Sequence, residues 1–297
     1  MRILLTGANG QLGTELRRSL APLGELVSST RGGTLSDGAA CERADLGQPG
    51  SLAELIDRAR PDVVVNAAAY TAVDRAESEP DLAFRINAEA VGELARACAA
   101  AGARLIHYST DYVFSGENER PWREDDPTGP VNTYGASKLA GEEEIRASGC
   151  QHMIFRIAWV YAAHGHNFLR TMLRLAGERE VIQVVDDQHG TPTPAHWVAN
   201  ASAKVIAAGH RGSGTWHLAP QGQTTWYRFA DSIFRIAREK GLPVRSQEIA
   251  AVSSEAYAAG ASRPRQSVLD SRRASLELGI QLPGWRQGLC EVLEQCK

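Results

Sequence analysis

The chain has 297 residues, 43% of them hydrophobic and 23% charged, with a formal net charge of −3, enough to bury a sizeable core in one large domain or two lobes. That balance excludes extended disorder and advertises no nucleic-acid partner. Five scattered cysteines lack the short paired spacing of a zinc site or disulfide framework, no apolar stretch reaches membrane-spanning length, and the first residues do not read as a secretory leader, so a reducing cytoplasm is expected.

From the N-terminus, short β-branched runs at Arg2–Thr6, Glu25–Ser29, Asp62–Ala67, Arg104–Ser109 and Phe155–Val160 alternate with helical patterns at Gly13–Leu20, Ser51–Ala59, Asp81–Ala101 and Tyr134–Ala147. This rhythm predicts βαβ units. The continuous Val63-Val64-Val65 points to a strand covered on both faces, hence an α/β fold with a doubly wound, Rossmann-like parallel sheet. Past Tyr161 the pattern loosens: a helix over Asn167–Gly177, a strand over Val181–Val185, a turn-rich stretch, a helix over Trp197–Ala208, a strand over Thr215–Leu218, and a helix capped by Thr225 that runs to Lys240. The division expected is a dinucleotide-binding domain of residues 1–162 plus 190–220 and a smaller α/β substrate lobe of residues 163–189 plus 221–297.

After the first strand, Gly7, Gly10 and Gly13 recur every third residue before a helix. Bare backbone there can approach a pyrophosphate at the helix N-terminus, although a plain tight turn gives the same spacing. The second strand ends at Thr30 and Arg31, where NAD sites commonly carry an acid. Arg31 favours a 2′-phosphate and so NADPH, with NADH possible, unless it is solvated loop charge. Asp45 is a candidate for the adenine edge.

Tyr134 and Lys138 are four apart in a predicted helix, which stacks them on one face. Seven tyrosines and four lysines make a chance pair possible, so context decides. A phenol that donates a proton while a neighbouring cation tunes it suits the reduction of a carbonyl. Thr110 ends a predicted parallel strand, where it can hydrogen-bond the reacting oxygen or cap the following turn. Asp111 suits a sugar hydroxyl or a loop backbone, and Trp159 suits the core or a sugar face. His164 and His166, the one histidine pair near metal-ligand spacing, read as part of a mobile glycine-rich loop. Arg263, Arg265, Arg272 and Arg273 read as surface charge or as a phosphate contact.

In this order the motifs resemble the extended short-chain dehydrogenases/reductases. Asn-Ala-Ala-Ala-Tyr-Thr-Ala-Val-Asp (66–74), His-Tyr-Ser-Thr-Asp-Tyr-Val-Phe (107–114), Phe-Arg-Ile-Ala-Trp-Val-Tyr (155–161) and Asp-Gln-His-Gly-Thr-Pro-Thr (187–193) are similar, nearly end to end, to the dTDP-4-dehydrorhamnose reductases among them. The resemblance implies reduction of the 4-keto group of dTDP-4-dehydro-L-rhamnose to dTDP-L-rhamnose, for rhamnose-containing polysaccharide. It implies Thr110, Tyr134 and Lys138 as the catalytic set, with Lys138 also on the nicotinamide ribose. Gly10, Gln11 and Leu12 would hold phosphate, Asp45 and Leu46 would touch adenine, and Ala69, Tyr70, Thr71 and Tyr108 would line the cofactor. Thr110, Asp111 and Trp159 would meet the sugar nucleotide, with Arg263 on its diphosphate.

The same resemblance makes Asn87 a water-mediated partner of Lys138, against the reading of an exposed helical residue. It raises a magnesium site involving Glu15, with Glu291 and Glu294 loosely similar to another part of it, against the reading of solvated helix charge. Tyr70 departs from the family, where a histidine is familiar. A monomer or homodimer is expected, with no nucleic acid or membrane partner. Two alternatives stay open: a non-catalytic regulatory subunit, like the homologue that partners methionine adenosyltransferase, and another nucleotide-sugar enzyme such as an epimerase.

Overall fold

Seven parallel strands form the central sheet of the computed structural model, which describes residues 1–246 and 248–296. In chain order they are β1 (Arg2–Thr6), β2 (Glu25–Thr30), β3 (Glu42–Arg43), β4 (Val63–Asn66), β5 (Arg104–Thr110), β6 (His152–Ile157) and, from beyond residue 200, β8 (Gly214–His217). Their spatial order is β8-β6-β5-β4-β1-β2-β3. The chain reverses its direction of travel between β1 and β4, and at such a switch point the carboxyl ends of the strands open a crevice for a ligand.

Helices cover both faces, which is why Val63, Val64 and Val65 can all be apolar. On one side α1 (Gln11–Leu20) and α6 (Ala195–Ala207) pack Leu16, Leu20, Val198 and Val205 against Ile3, Leu5 and Ile106. On the other, α2 (Ser51–Ala59), α3 (Ala90–Ala101) and α4 (Thr133–Ala147) pack Leu55, Val91, Leu94 and Ile145 against Leu4, Val64 and Leu105. The helix expected as one piece over Asp81–Ala101 is interrupted: Pro80–Phe84 leads into a π-type turn at Arg85–Glu89 before α3 begins. The strand expected over Phe155–Val160 stops at Ile157, and Val160–Tyr161 pairs instead with Thr193–Pro194.

The smaller lobe is built from α5 (Phe168–Glu178), β7 (Val181–Val185), α7 (Trp226–Glu239), β9 (Glu248–Val252) and α9 (Trp285–Glu294). β7 and β9 pair in parallel, and Leu169, Phe229, Ile233, Trp285 and Leu289 form its own core. Side chains fix where its helices start: Asn167 Oδ1 accepts from the Arg170 N–H, and Thr225 Oγ1 from that of Arg228. Between these elements, α8 (Arg272–Leu278) returns to the large sheet, where Ala274 and Leu278 join the core around Ile3 and Trp216. Among the described residues no helix is long and apolar enough to cross a membrane.

Candidate active site

β1 delivers the glycine loop to the switch point. Gly7 takes φ +70°, a conformation glycine adopts without strain, and a Cβ there would stand 2.7 Å from the Ala68 nitrogen just past β4. A Cβ on Gly13 would overlap the Gly7 carbonyl. Asn9 and Gly10 are exposed, Gly10 caps α1 without a side-chain bond, and the first helical turn carries no acid. Free N–H groups at a helix start therefore meet open space, a cradle that fits the pyrophosphate of a dinucleotide.

The surrounding residues sort less simply. Gln11 spends its side chain inward, donating to the Val160 carbonyl (2.9 Å) and accepting from Asn167 (2.6 Å), so its main-chain N–H is the group left to offer a phosphate. Leu12 packs on the core. The Thr30 hydroxyl exchanges bonds with Thr34 (both 3.2 Å), whereas Arg31 is exposed and joins no ion pair among the described residues. Asp45 takes the Gly47 N–H (2.9 Å), and Leu46 is buried beside it. Ala69 is half-buried, Thr71 is exposed, and the Tyr70 hydroxyl donates to Glu79 (2.7 Å). Tyr108, 6% exposed, packs into the core under α6, where its hydroxyl donates to Ser202 (2.7 Å).

At the carboxyl end of β5, Thr110 caps the following turn and stands beside Tyr134. Its oxygen accepts from the Tyr112 N–H (3.2 Å), capping the next turn, and its hydroxyl donates to Asp111 (3.0 Å) and lies within hydrogen-bonding reach of the Tyr134 phenol. Burial pushes Tyr134 up to about 12, the Thr110 contact opposes this and the Asp111 charge adds to it; Lys138 does not figure among these influences. Asp111 is 2% exposed. Among the described residues one carboxylate oxygen is buried without a hydrogen-bond partner, the nearby Ser267 hydroxyl donating to the His189 carbonyl (3.2 Å), and burial lifts the acid to about 7 against the opposing influence of Ser267 and Thr110.

α4 brings Tyr134 and Lys138 to this point. Asn132 caps it through the Gly135 N–H (2.7 Å), and Gly141 lets it press on the π-type turn, because any Cβ there would overlap the Asn87 carbonyl. Asn87 is fully buried, not exposed. Its amide takes the Tyr70 N–H (2.9 Å) and donates to the Tyr70 carbonyl and to Ser137 (both 3.0 Å), so it braces the crevice wall against α4. Lys138 is buried as well, and its Nζ meets His107 Nε2 at 3.1 Å.

Trp159 takes φ +48°, a strained backbone for a bulky residue, and stacks on Trp226 at the start of α7. Trp226 in turn lines a cavity of about 570 Å³ in the smaller lobe, with Phe168, Gln188, Tyr257 and Arg263. Arg263 is no free cation there: it donates to Asp74 (2.9 Å) and to the Ala261 carbonyl (3.0 Å). Arg272 and Arg273 likewise pair with Asp270 and Glu277. Asn66, His107 and Gln188 stand inside the quoted motifs without an assigned role, and Trp226 lies outside them; a tryptophan directly after the Thr225 cap was the available signal for the last.

The histidine loop is anchored, because His164 bonds Glu15 at 2.6 Å, and Arg18 reaches the same carboxylate. Glu291 is held by His196, Trp197 and Gln287, and Glu294 by Lys240. Among the described residues no group of three or more His, Cys, Asp or Glu is placed to hold a metal, so the magnesium expectation finds no support.

Comparison with known proteins places these features in a family. The family model described as RmlD substrate binding domain matches residues 1–297. A dTDP-4-dehydrorhamnose reductase of Burkholderia thailandensis is 48% identical, over 98% of both chains, and that of Escherichia coli K12 is 44% identical, over 99% of this chain and 98% of its own. The crystal structure of the Bacillus anthracis dTDP-4-dehydrorhamnose reductase in complex with NADP superposes with a TM-score of 0.90 at 34% identity, covering 99% of both chains. The chain belongs to the dTDP-4-dehydrorhamnose reductase family.

Proposed function

We propose that this family member catalyses the NADPH-dependent reduction of the 4-keto group of dTDP-4-dehydro-L-rhamnose to dTDP-L-rhamnose, for rhamnose-containing polysaccharide. The observation that carries the reading is the placement of Thr110 beside Tyr134 at the carboxyl edge of the parallel sheet, with buried Lys138 one turn further along the same helix and a glycine loop fit for a pyrophosphate at the same edge. The relatives named above, and the NADP bound to the Bacillus anthracis protein, support it.

When bound, NADPH supplies the hydride that becomes the new C–H bond at C4. The oxygen of that carbonyl needs a proton as it becomes a hydroxyl, and Tyr134 is the group to give it. A phenol near 12 stays protonated at neutral pH, which is the state a reduction requires. Thr110 steadies the same oxygen as charge develops on it. The unpartnered Asp111 oxygen has acceptor capacity for a sugar hydroxyl, and the stacked Trp159 and Trp226 offer a flat apolar face. The cavity beyond Trp226 suits the nucleotide, so binding energy from a remote part of the substrate can position the reacting carbon. Exposed Arg31 favours NADPH over NADH. The enzyme would work in the cytoplasm as a monomer or homodimer.

The test is direct: purified protein given NADPH and dTDP-4-dehydro-L-rhamnose should oxidise the cofactor and yield dTDP-L-rhamnose, identified by NMR. Cofactor binding without turnover would favour the regulatory-subunit reading. Epimerisation of a sugar nucleotide without net cofactor consumption would favour the epimerase.

A further inference from the structure

Three neighbouring strands lay a buried polar string beneath the crevice. The sheet register pairs Thr6 with Asn66 and Asn66 with His107, and His107 reaches across to Lys138 on α4. Thr6 and the Ala68 main-chain N–H both donate to Asn66 Oδ1, at 2.6 and 3.2 Å. Asn66 Nδ2 lies 3.1 Å from His107 Nδ1, and His107 Nε2 lies 3.1 Å from Lys138 Nζ. Among the described residues Nζ has no other hydrogen-bond partner.

Proton directions along this string are fixed at Ala68. A peptide N–H can only donate, so the Asn66 oxygen must face it and the Asn66 NH₂ must face His107. Nδ1 is then the acceptor, and a neutral ring carries its proton on Nε2, aimed at Lys138. An ammonium has no lone pair to receive that proton, whereas a free amine has one.

We propose that His107 is a positioning residue for Lys138: with its tautomer set by Asn66 and Ala68, it holds the lysine as an uncharged amine in the cofactor-free protein. The other groups around the pair do not reverse this. On α4, Tyr134 lies one turn before Lys138 and Glu142 one turn after. The Glu142 carboxylate is already taken by Arg156 of β6 (2.7 and 2.9 Å) and by Arg146 (2.6 Å). Asp111 lies beyond Tyr134, engaged with Thr110. Burial brings Lys138 down to about 8, near enough to neutrality for the hydrogen bond accepted from Nε2–H to tip it to the amine, and burial keeps His107 well below its ordinary value, so an imidazolium is not the partner. An uncharged Lys138 also leaves Tyr134 protonated. That consequence for turnover rests on the reductase reading; the tautomer does not.

Histidine nitrogen NMR on isotope-labelled, cofactor-free protein tests the tautomer, with the His107 signals identified by their loss in His107→Gln. The expected result is the Nε2–H form at neutral pH. Asn66→Asp provides the inversion: its carboxylate can still accept from Thr6 and Ala68 but also accepts a hydrogen bond from Nδ1–H, turning the Nε2 lone pair toward Lys138. In that variant the Nδ1–H form should appear, and the Lys138 titration, followed through its Cε carbon signal, should move up by roughly one unit or more. The matching limb of the pH–rate profile should move with it. A wild-type Nδ1–H ring or imidazolium overturns the proposal, and so does an inverted tautomer with an unmoved lysine titration. If Asn66→Asp does not fold, the wild-type measurement alone decides. A protein with the predicted tautomer and titrations but no reductase activity would uphold this inference and sink the proposed function.

Discussion

Trp159 and Trp226 lie face to face, ring centroids 3.5 Å apart and planes within 7°, so the end of the β6 segment and the start of α7 share one aromatic plate. The strained backbone of Trp159 places its indole over Gly190, where any Cβ would run into the ring. That contact accounts for the glycine in the Asp-Gln-His-Gly-Thr-Pro-Thr segment.

Gly190→Ala should therefore push the plate apart, with a stability loss of ~1–3 kcal/mol from overpacking. The nucleotide-sugar KM should rise while NADPH affinity holds. Urea unfolding and steady-state kinetics check both, and an unchanged sugar KM would remove the plate from substrate binding.

Tyr134→Phe should leave fold and cofactor affinity intact and lower kcat by about a hundredfold or more, because a positioned proton donor is worth that much. Lys138→Ala should lose activity and weaken cofactor binding as well. Near-normal turnover by the phenylalanine variant would clear Tyr134 of the proton transfer, and an unaltered NADPH titration in the alanine variant would end the ribose role of Lys138.

Asp111 carries a pH signature. Burial raises its carboxyl from 3.8 to about 7, so the folded chain holds this proton more tightly than the unfolded one. The resulting destabilisation is absent below about pH 4, grows as pH rises, and is complete above about pH 7. Asp111→Asn cannot ionise and should gain stability over wild type by ~1–3 kcal/mol at pH 8, with little gain at pH 4. It should also bind the nucleotide sugar less tightly. Denaturation at the two pH values checks the sign; equal gains at both would mean the charge is not the cause.

Arg31→Ala should lower the NADPH/NADH ratio of kcat/KM by a few-fold at low salt and less at high salt, since an exposed phosphate contact is screened. A ratio indifferent to the substitution would make Arg31 ordinary surface charge.

The fold class was readable in the chain because its signals are local. Continuous valines mark a doubly covered strand, glycines every third residue mark a loop against a helix start, and Thr225 caps the helix that follows it. Tyr134 and Lys138 were legible for the same reason, since a four-residue step is one helical turn whatever surrounds it. What tertiary structure decided was the employment of polar side chains whose partners are far away in sequence. Gln11 turned to Val160 and Asn167, Arg263 to Asp74, and Asn87 to Tyr70 and Ser137, each satisfying a hydrogen-bonding need that burial created. His107 shows the same limit. The strand pattern gave its place in β5, but only the register that sets it beside Asn66, and the packing that sets it below Lys138, turned a core histidine into a neighbour of the candidate catalytic lysine.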